Sequence, residues 1–397
     1  MNTRFTLIFT TTLLFLLPVL GFGQNSGKAP IFGKGIKYTA KDTSFDMKFH
    51  FRMQHLLAVN YDEATDNTST NFLVRRARLK FSGFAFTPNL QYKAELGLSN
   101  RDISINKEDG NTRDAARVIL DAVLKWKFSK NWSLWVGQTK LPGNRERVIS
   151  SANLQFVDRS LLNSKYNIDR DAGLQLRGKF KAGDVVIAPA FALTQGEGRN
   201  MTQGNYGGFD YTAHVEILPF GAFTGKGDFI GSDLEREQTP KLAIGLTYDY
   251  NKDAVRQGGQ LGSFVKDLNG NYVENSLSTF FADVMFKYQG FSLMSEYANK
   301  SADKRVSGAT KGFNTGTGFS AQAGYLFNNN VELAFRFTTL REDNALSGIT
   351  DEDQFTIGLS KYIVRHSLKV QSDFTRISFP GADDGAYQFR MQVEMQF

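Results

Sequence analysis

The chain has 397 residues, with 47 Lys and Arg against 40 Asp and Glu, four His and no Cys. The lack of thiols excludes a disulfide scaffold, a Cys-ligated metal and a thiol nucleophile, and four scattered His outside any HExxH spacing argue against a His-rich metal enzyme. Aromatics reach 13% while overall hydrophobicity stays at 41%, which fits neither a helical membrane bundle nor a disordered chain and favours β-structure with one aromatic-rich face.

The chain begins with Arg4 as its one early charge. Phe5 to Leu20 is then apolar apart from threonines and Pro18, and Gly21-Phe22-Gly23 closes the stretch with small residues. That order of regions reads as a secretory signal over 1–23 rather than an anchor, because the apolar run is short and proline interrupts it. Residues 24–44 are expected to form a short periplasmic segment, and 45–397 the folded body. No later stretch approaches the roughly 18 apolar residues of a spanning helix. An exported chain of this kind either stays soluble or crosses a membrane with strands.

Period-2 patterning chooses between these. Phe45, Met47, Phe49, Phe51 and Met53 alternate with Asp46, Lys48, His50, Arg52 and Gln54, one apolar face against one strongly polar face. Leu73, Ala77, Leu79 and Phe81 then alternate with Arg76, Arg78 and Lys80. Leu90 to Leu98 alternates with Gln91, Lys93 and Glu95, and Leu120, Ala122, Leu124 and Trp126 with Asp121, Lys125 and Lys127. Leu174, Leu176 and Phe180 oppose Gln175, Arg177 and Lys179, and Tyr211, Val215 and Ile217 oppose Asp210, His214 and Glu216. Apolar rows recur at Leu242–Tyr250, Phe280–Tyr288, Val331–Phe337 and Tyr387–Phe397. With weaker segments included, about sixteen strands of roughly ten residues result, the pattern of an all-β, transmembrane antiparallel β-barrel. Long links at 62–71, 99–116, 141–170, 195–207, 251–276, 300–317, 341–353 and 379–385 alternate with short ones, as outer loops and periplasmic turns do. The link from Pro219 to Pro240 is the exception: it is long where a turn belongs, so it is either a periplasmic insertion or a miscounted strand.

Lipid gives Arg and Lys no partners, so the polar parity must face a wet lumen. A soluble propeller or sandwich could alternate too, but neither calls for this alternation of loops or for a terminal Phe.

Phe72-Leu73-Val74-Arg75-Arg76-Ala77-Arg78-Leu79 resembles the early RRAR strand of the phosphate-selective porin O and P family. Val136–Pro142 with Arg145-Glu146-Arg147 and Ser150-Ser151 is similar to that family's strand into its third loop. Phe156–Leu161 and Arg170–Leu176 resemble the segments inside and after that loop. The resemblance covers most of the mature chain and implies a sixteen-stranded barrel, usually trimeric, with a long third loop folded into the pore. Gly143-Asn144 departs from the pattern, since an aromatic is expected after Pro142. The closing Tyr387–Phe397 strand fits the signal by which such barrels address their assembly machinery.

The candidate anion pathway comprises Arg76, Arg78, Lys80, Lys125, Lys127, Arg177 and Lys179 on the polar parity, joined by Lys140, Arg145, Arg147 and Arg159 around the third loop. Guanidinium forks match phosphate oxygens, Lys supplies a point charge, and rings of such groups favour anions in a pore. The plainer reading is that these cations solvate the lumen and pair with Asp46, Glu95, Asp121, Asp283, Glu332 and Asp373. The expected function is passive diffusion of small anions, phosphate or polyphosphate among them, across the outer membrane of a Gram-negative bacterium. A weakly selective general porin is the first alternative, and an adhesin or structural barrel with a closed pore the second. Outer-membrane lipid and lipopolysaccharide are the expected surroundings and a homotrimer the expected assembly. No cofactor, metal or nucleic acid is expected: the basic residues are spread over strand interiors rather than gathered in a patch. Enzyme readings are weak, as His55 lies on the apolar parity with no GxSxG and Gly221–Lys226 lacks phosphate-loop spacing. Asp267, Asn269, Asn271 and Glu274 have a calcium-loop flavour without the turn Gly, and Asp351-Glu352-Asp353 reads as a solvated loop that could bridge cations to lipopolysaccharide.

Overall fold

The computed structural model describes residues 31–99, 102, 118–201, 205–303, 309, 311–343 and 350–397. The expected signal at 1–23 lies outside the described residues. The first strands are β1 (Ile36–Thr39), β2 (Phe45–Asp62), β3 (Asn67–Ala85), β4 (Thr87–Gly97), β5 (Ile119–Trp126) and β6 (Trp132–Lys140). Next come β7 (Arg170–Gly178), β8 (Phe180–Ala182), β9 (Val185–Thr194), β10 (Asp210–Leu218), β11 (Lys241–Ala254) and β12 (Asn275–Tyr288). The last are β13 (Phe291–Ala302), β14 (Gly316–Leu326), β15 (Val331–Glu342), β16 (Glu352–Val364), β17 (Leu368–Ser378) and β18 (Gly385–Gln396).

From β2 to β18 each strand pairs antiparallel with its sequence neighbours, β7 and β8 counting together as one, and β18 returns to β2, so the sheet closes without a free edge. β7 and β8 are two halves of one barrel strand. Both pair with β9 in a continuous register, and the break falls where Gly178 would face Pro189, which has no N–H to give. Sixteen barrel strands result. Closure is what the membrane requires, since an open edge would leave N–H and C=O groups unpaired in lipid.

Why these stretches become strands is visible in their faces. On β16, Phe355, Ile357 and Leu359 stand exposed on the outside while Thr356 and Ser360 are buried inside. On β17 and β18, Phe374, Phe389, Met391 and Val393 lie outward and Lys369, Asp373, Gln392 and Glu394 inward. Tight reversals join strands at one end: Gln289 and Gly290 both have positive φ, as a two-residue hairpin turn requires.

β1 fills the seam. β18 pairs with β2 down to Arg52, Phe51 and Phe397 exchange backbone hydrogen bonds, and β1 then continues along β2 from Phe49 to Asp46.

Two bulges revise the simple parity. Arg76 faces Gln54 but Val74 faces His55, which leaves Arg75 as an extra residue. Leu73, expected on the apolar face with Ala77, therefore shares the inner face opposite Leu56. A second bulge near Glu95 turns Leu120 inward, where it is buried. The supposed long link 62–71 is a tight turn, because β2 and β3 run on to 18 and 19 residues.

The interior is filled mainly by the 141–169 loop, third of the long outer loops, carrying helices α1 (Arg145–Val148) and α2 (Leu161–Tyr166). Ser160 caps α2 by accepting from the Asn163 amide. Leu141, Leu162, Tyr166 and Ile168 of the loop pack against Phe281, Ala298 and Leu340 on the inner wall. Burying each such side chain contributes on the order of 1.5–3 kcal/mol. The Pro219–Pro240 link lies at the turn end, between β10 and β11, as a real insertion.

Candidate functional site

Between the third loop and the β2–β7 wall lies a cavity of about 830 Å³. Fifteen Lys or Arg residues line it against four Asp or Glu, namely Glu95, Asp102, Asp158 and Asp169. How these charges are held divides them into two groups.

The first group is paired. Arg75 and Arg76 grip the loop carboxylate Asp158 at 2.7 and 2.9 Å, and Gln54 Oε1 accepts from Arg76 at 2.6 Å. Burial alone would raise the Asp158 pKa, but Arg76 and Arg75 outweigh it and hold the carboxyl below the usual carboxylate range. Arg78 reaches Glu95 at 3.3 Å and Asp102 at 3.5 Å. Lys93 bonds Glu95 and Asp121 at 2.9 and 2.7 Å, and Arg170 reaches Asp121 at 3.2 Å. Arg147 pairs with Asp169, whose carboxyl is likewise held low by Arg147 and Arg170 against the opposing effect of burial. Arg52 and Arg78 both donate to Ser151 Oγ, at 2.7 and 3.4 Å. Of these, the Asp158 and Ser151 contacts fasten the loop to the wall, Arg147–Asp169 braces the loop internally, and the others tie neighbouring strands together.

The second group has no carboxylate within ion-pairing distance among the described residues: Lys80, Lys125, Lys140, Arg159, Arg177 and Arg199. Lys140 donates to the carbonyls of Arg147, Val148 and Ile149, satisfying the open end of α1. Arg159 donates to the carbonyls of Glu146 and Ile149 at 2.8 and 2.7 Å. Lys125 stands 3.7 Å from the centre of the Trp135 ring, and Arg177 4.3 Å from the same centre. An aromatic face attracts a cation without cancelling its charge. Trp135 occupies the inner face because β6 pairs it directly across from Lys125. Next to it Gly137 is obligatory in shape: its φ is +123°, and a Cβ there would sit 2.2 Å from the Ala122 carbonyl oxygen.

Eight of the eleven candidate residues thus line one cavity: Arg76, Arg78, Lys80, Lys125, Lys140, Arg147, Arg159 and Arg177. Three do not. Arg145 points to the opposite wall, where it pairs with Asp283 and, at 2.9 Å, with Glu216, so it anchors the loop instead of narrowing the pore. Lys127 and Lys179 are exposed near the periplasmic rim, each beyond the end of its regular strand. Residues absent from the candidate set but present on the cavity include Arg52, Arg75, Lys93, Trp135, Arg170, Arg199, Arg336 and Arg390. Arg52, Lys93 and Arg390 carry the same polar-parity signal as the chosen residues. Arg75 was concealed by its bulge, Arg199 by lying at a loop margin, and Trp135 by its apolar character, while Arg170 stands among the charges of the third-loop segment.

The acids named as neutralising partners do take that role in part. Asp46 pairs with Lys37, Asp373 with Arg390, and Asp283 with Arg145. Glu332 instead accepts from Ser232, Tyr362 and Gln155. Outside the lumen, Asp267 accepts from the amides of Asn269 and Asn271, and Asp353 pairs with Arg341. Each group thereby serves its own loop.

The fold is shared with solved outer-membrane channels. The anion-selective porin of Comamonas acidovorans superposes with a TM-score of 0.54 at 9% identity, covering 88% of this chain and 99% of that one. The outer-membrane channel DcaP of Acinetobacter baumannii gives 0.53 at 11% identity over 91% and 99%. OprB of Pseudomonas putida gives 0.53 at 11% over 88% and 94%. A protein of Aquifex aeolicus without assigned function is 22% identical over 366 residues, 85% of this chain and 83% of its own. The sequence profile of the phosphate-selective porin O and P family matches residues 46–376, most of the barrel. With that match, the closed sixteen-stranded sheet and its inward third loop, the chain belongs to the phosphate-selective porin O and P family and is a channel of the Gram-negative outer membrane.

Proposed function

We propose that this porin passes small anions, with phosphate as the candidate solute. One observation carries the reading: the cavity wall holds fifteen cationic residues and four acidic ones. Each of the four acids is already matched by a specific Arg or Lys, while Lys80, Lys125, Arg159 and Arg177 keep their charge open to the lumen. An anion entering this space sheds water against Arg and Lys donors, and a cation meets like charge. Several stations of moderate strength, rather than one tight site, allow exit as well as entry. The Comamonas acidovorans porin is described as anion-selective, which agrees with the reading by likeness of fold only. The same proposal includes export by the 1–23 signal, a 24–44 periplasmic segment, assembly through the Phe397 strand, lipopolysaccharide around the barrel and a homotrimeric state.

The test is the reversal potential of purified protein in a planar bilayer under a potassium chloride gradient, followed by titration with phosphate. Chloride preference, with current that falls as phosphate is added, supports an anion channel with a phosphate station. Chloride preference without block removes phosphate and leaves the anion channel. A reversal potential near zero overturns the proposal in favour of a general porin.

A further inference from the structure

The Pro219–Pro240 insertion does not hang below the barrel. It folds up into the lumen and meets the third loop there. The Gly231 amide donates to the Asn153 carbonyl at 2.8 Å, and Asn153 Nδ2 donates to the Phe229 carbonyl at 3.2 Å. Phe223 of the insertion packs with Ile149 and Leu154 of the loop, and with Met285 and Met294 of the wall. One apolar core inside the barrel is therefore built from both ends of it.

The insertion is fixed to the wall as firmly as the loop is. Lys287, fully buried on β12, donates to the carbonyls of Gly227, Ile230 and Ser232 at 2.9, 2.7 and 2.7 Å. Ser232 Oγ donates to Glu332 at 2.6 Å. Arg236 donates to the Leu326 and Phe327 carbonyls at 2.7 and 2.6 Å, tying the insertion to the neighbouring periplasmic turn. Of this whole segment only Phe229 reaches the cationic cavity. The rest fills the side of the lumen away from the β2–β7 wall.

We infer that the insertion is a second constriction element. It closes the half of the barrel bounded by β10–β16 from the periplasmic side, supports the third loop from beneath, and so confines solutes to the cationic half. Sixteen-stranded barrels ordinarily leave an aqueous channel, and filling half of one from both ends leaves a single charged route. The inference concerns where solutes pass, whichever ion the channel prefers.

The β10–β11 register places Ile217 opposite Ile244, so its continuation sets Phe220 opposite Lys241 and a two-residue Asn-Gly turn can replace 221–240. Single-channel conductance of that variant, reconstituted after its heat-modifiable migration shows a folded barrel, is expected to rise about two- to threefold, with the reversal potential moving toward zero. Wild-type conductance and reversal potential in the folded variant would overturn the inference. Where that deletion does not fold, the natural absence of Cys gives a second reading. Ser232 is fully buried, so Ser232→Cys is expected to resist a water-soluble thiol reagent, and adding Lys287→Met is expected to speed labelling at least about tenfold by leaving three carbonyls unpaired. Equal labelling in the two variants, with unaltered conductance steps, would equally refute it.

Discussion

The separation of lumen cations into paired and open ones makes a quantitative prediction at Lys125 and Arg177. Both lie over Trp135 and neither has a carboxylate partner among the described residues. Changing both to Gln removes two charges while sparing the Arg–Asp contacts that hold the loop. A unit cation 4 Å from a chloride is worth about 1 kcal/mol at the dielectric of water and about 4 kcal/mol at that of a protein surface. Taking the smaller figure, removal of a single charge lowers local anion occupancy about fivefold and raises that of the cation similarly. The double variant should therefore lose at least about fivefold in chloride-over-potassium permeability, read from the reversal potential in a gradient. The loss should shrink as ionic strength rises, because the Debye length falls from about 10 Å at 0.1 M to about 3 Å at 1 M. Arg76→Gln with Arg78→Gln is the contrasting pair. Their charges are already matched by Asp158, Glu95 and Asp102, so their loss should show more in channel noise and loop attachment than in permeability. A conducting Lys125→Gln, Arg177→Gln channel with an unchanged reversal potential would refute the division into paired and open cations.

Three further outcomes follow from the same contacts. Trp135→Leu keeps both charges but removes the ring between them, worth about 0.5–2 kcal/mol per cation. Its anion preference should fall part-way toward the double variant, and equality with wild type would mean that the ring is only filler. Asp158→Asn strands Arg75 and Arg76 beside a neutral amide, and breaking such a buried pair costs about 3–5 kcal/mol. Proteolytic nicking within 141–169 should accelerate while the barrel itself stays folded. As to acidity, Asp158 and Asp169 have carboxyl pKa values depressed in the folded state, so each unfolds more readily when protonated. Their contribution is complete above the ordinary carboxylate pKa and is lost as pH falls through the lower folded value. Channel noise should accordingly stay flat from about pH 8 to about pH 5 and grow only below about pH 4; noise that grows between pH 7 and pH 6 would place the control elsewhere.

The barrel was legible because two physical rules act on every strand. Side chains alternate across a strand, and lipid rejects charge. The rows Phe45–Met53 and Phe280–Tyr288 therefore declared their faces without any tertiary information. Legibility failed where the backbone departs from strict alternation. The extra residue at Arg75 reverses the face of everything before it in β3, which moved Leu73 inward and hid one arm of the Asp158 clamp. It also failed for Arg145, since spacing within a loop says nothing about the wall toward which a side chain turns. One signal was available and unused. Phe281, Met285, Met294 and Leu340 lie on the lumen parity of their strands, where a water-filled channel has no use for them. Apolar residues on a wet face announce that something covers them, here the third loop and the insertion from below.

That pattern explains why the lumen carries so much charge yet keeps it in fixed places. A long loop inside a barrel cannot be held by apolar contact alone, because half of its surroundings must stay wet for solutes. The β10–β16 side is where apolar packing is affordable, and there Leu162, Tyr166 and Phe156 are buried almost completely. On the β2–β7 side attachment falls to charge-assisted bonds, short and directional enough to survive next to water. Asp158 accepts in this way from Arg75 and Arg76, and Ser151 Oγ from Arg52 and Arg78, while Asp169 and Glu146 brace the loop internally against Arg147 and the Ser160 amide at 2.9 Å. Each carboxylate used as a fastener is one fewer to attract cations into the route, and each cation left over faces the solute. Loop attachment and anion preference are then two consequences of one excess of Arg and Lys. A variant that adds a free carboxylate beside Trp135 and across from Arg177, such as Ser133→Asp, should therefore weaken selectivity without loosening the loop, because it neutralises open charge and touches no fastener. Measured together, reversal potential and nicking rate separate the two effects: selectivity and attachment falling in step at this site would mean that they are not independent after all.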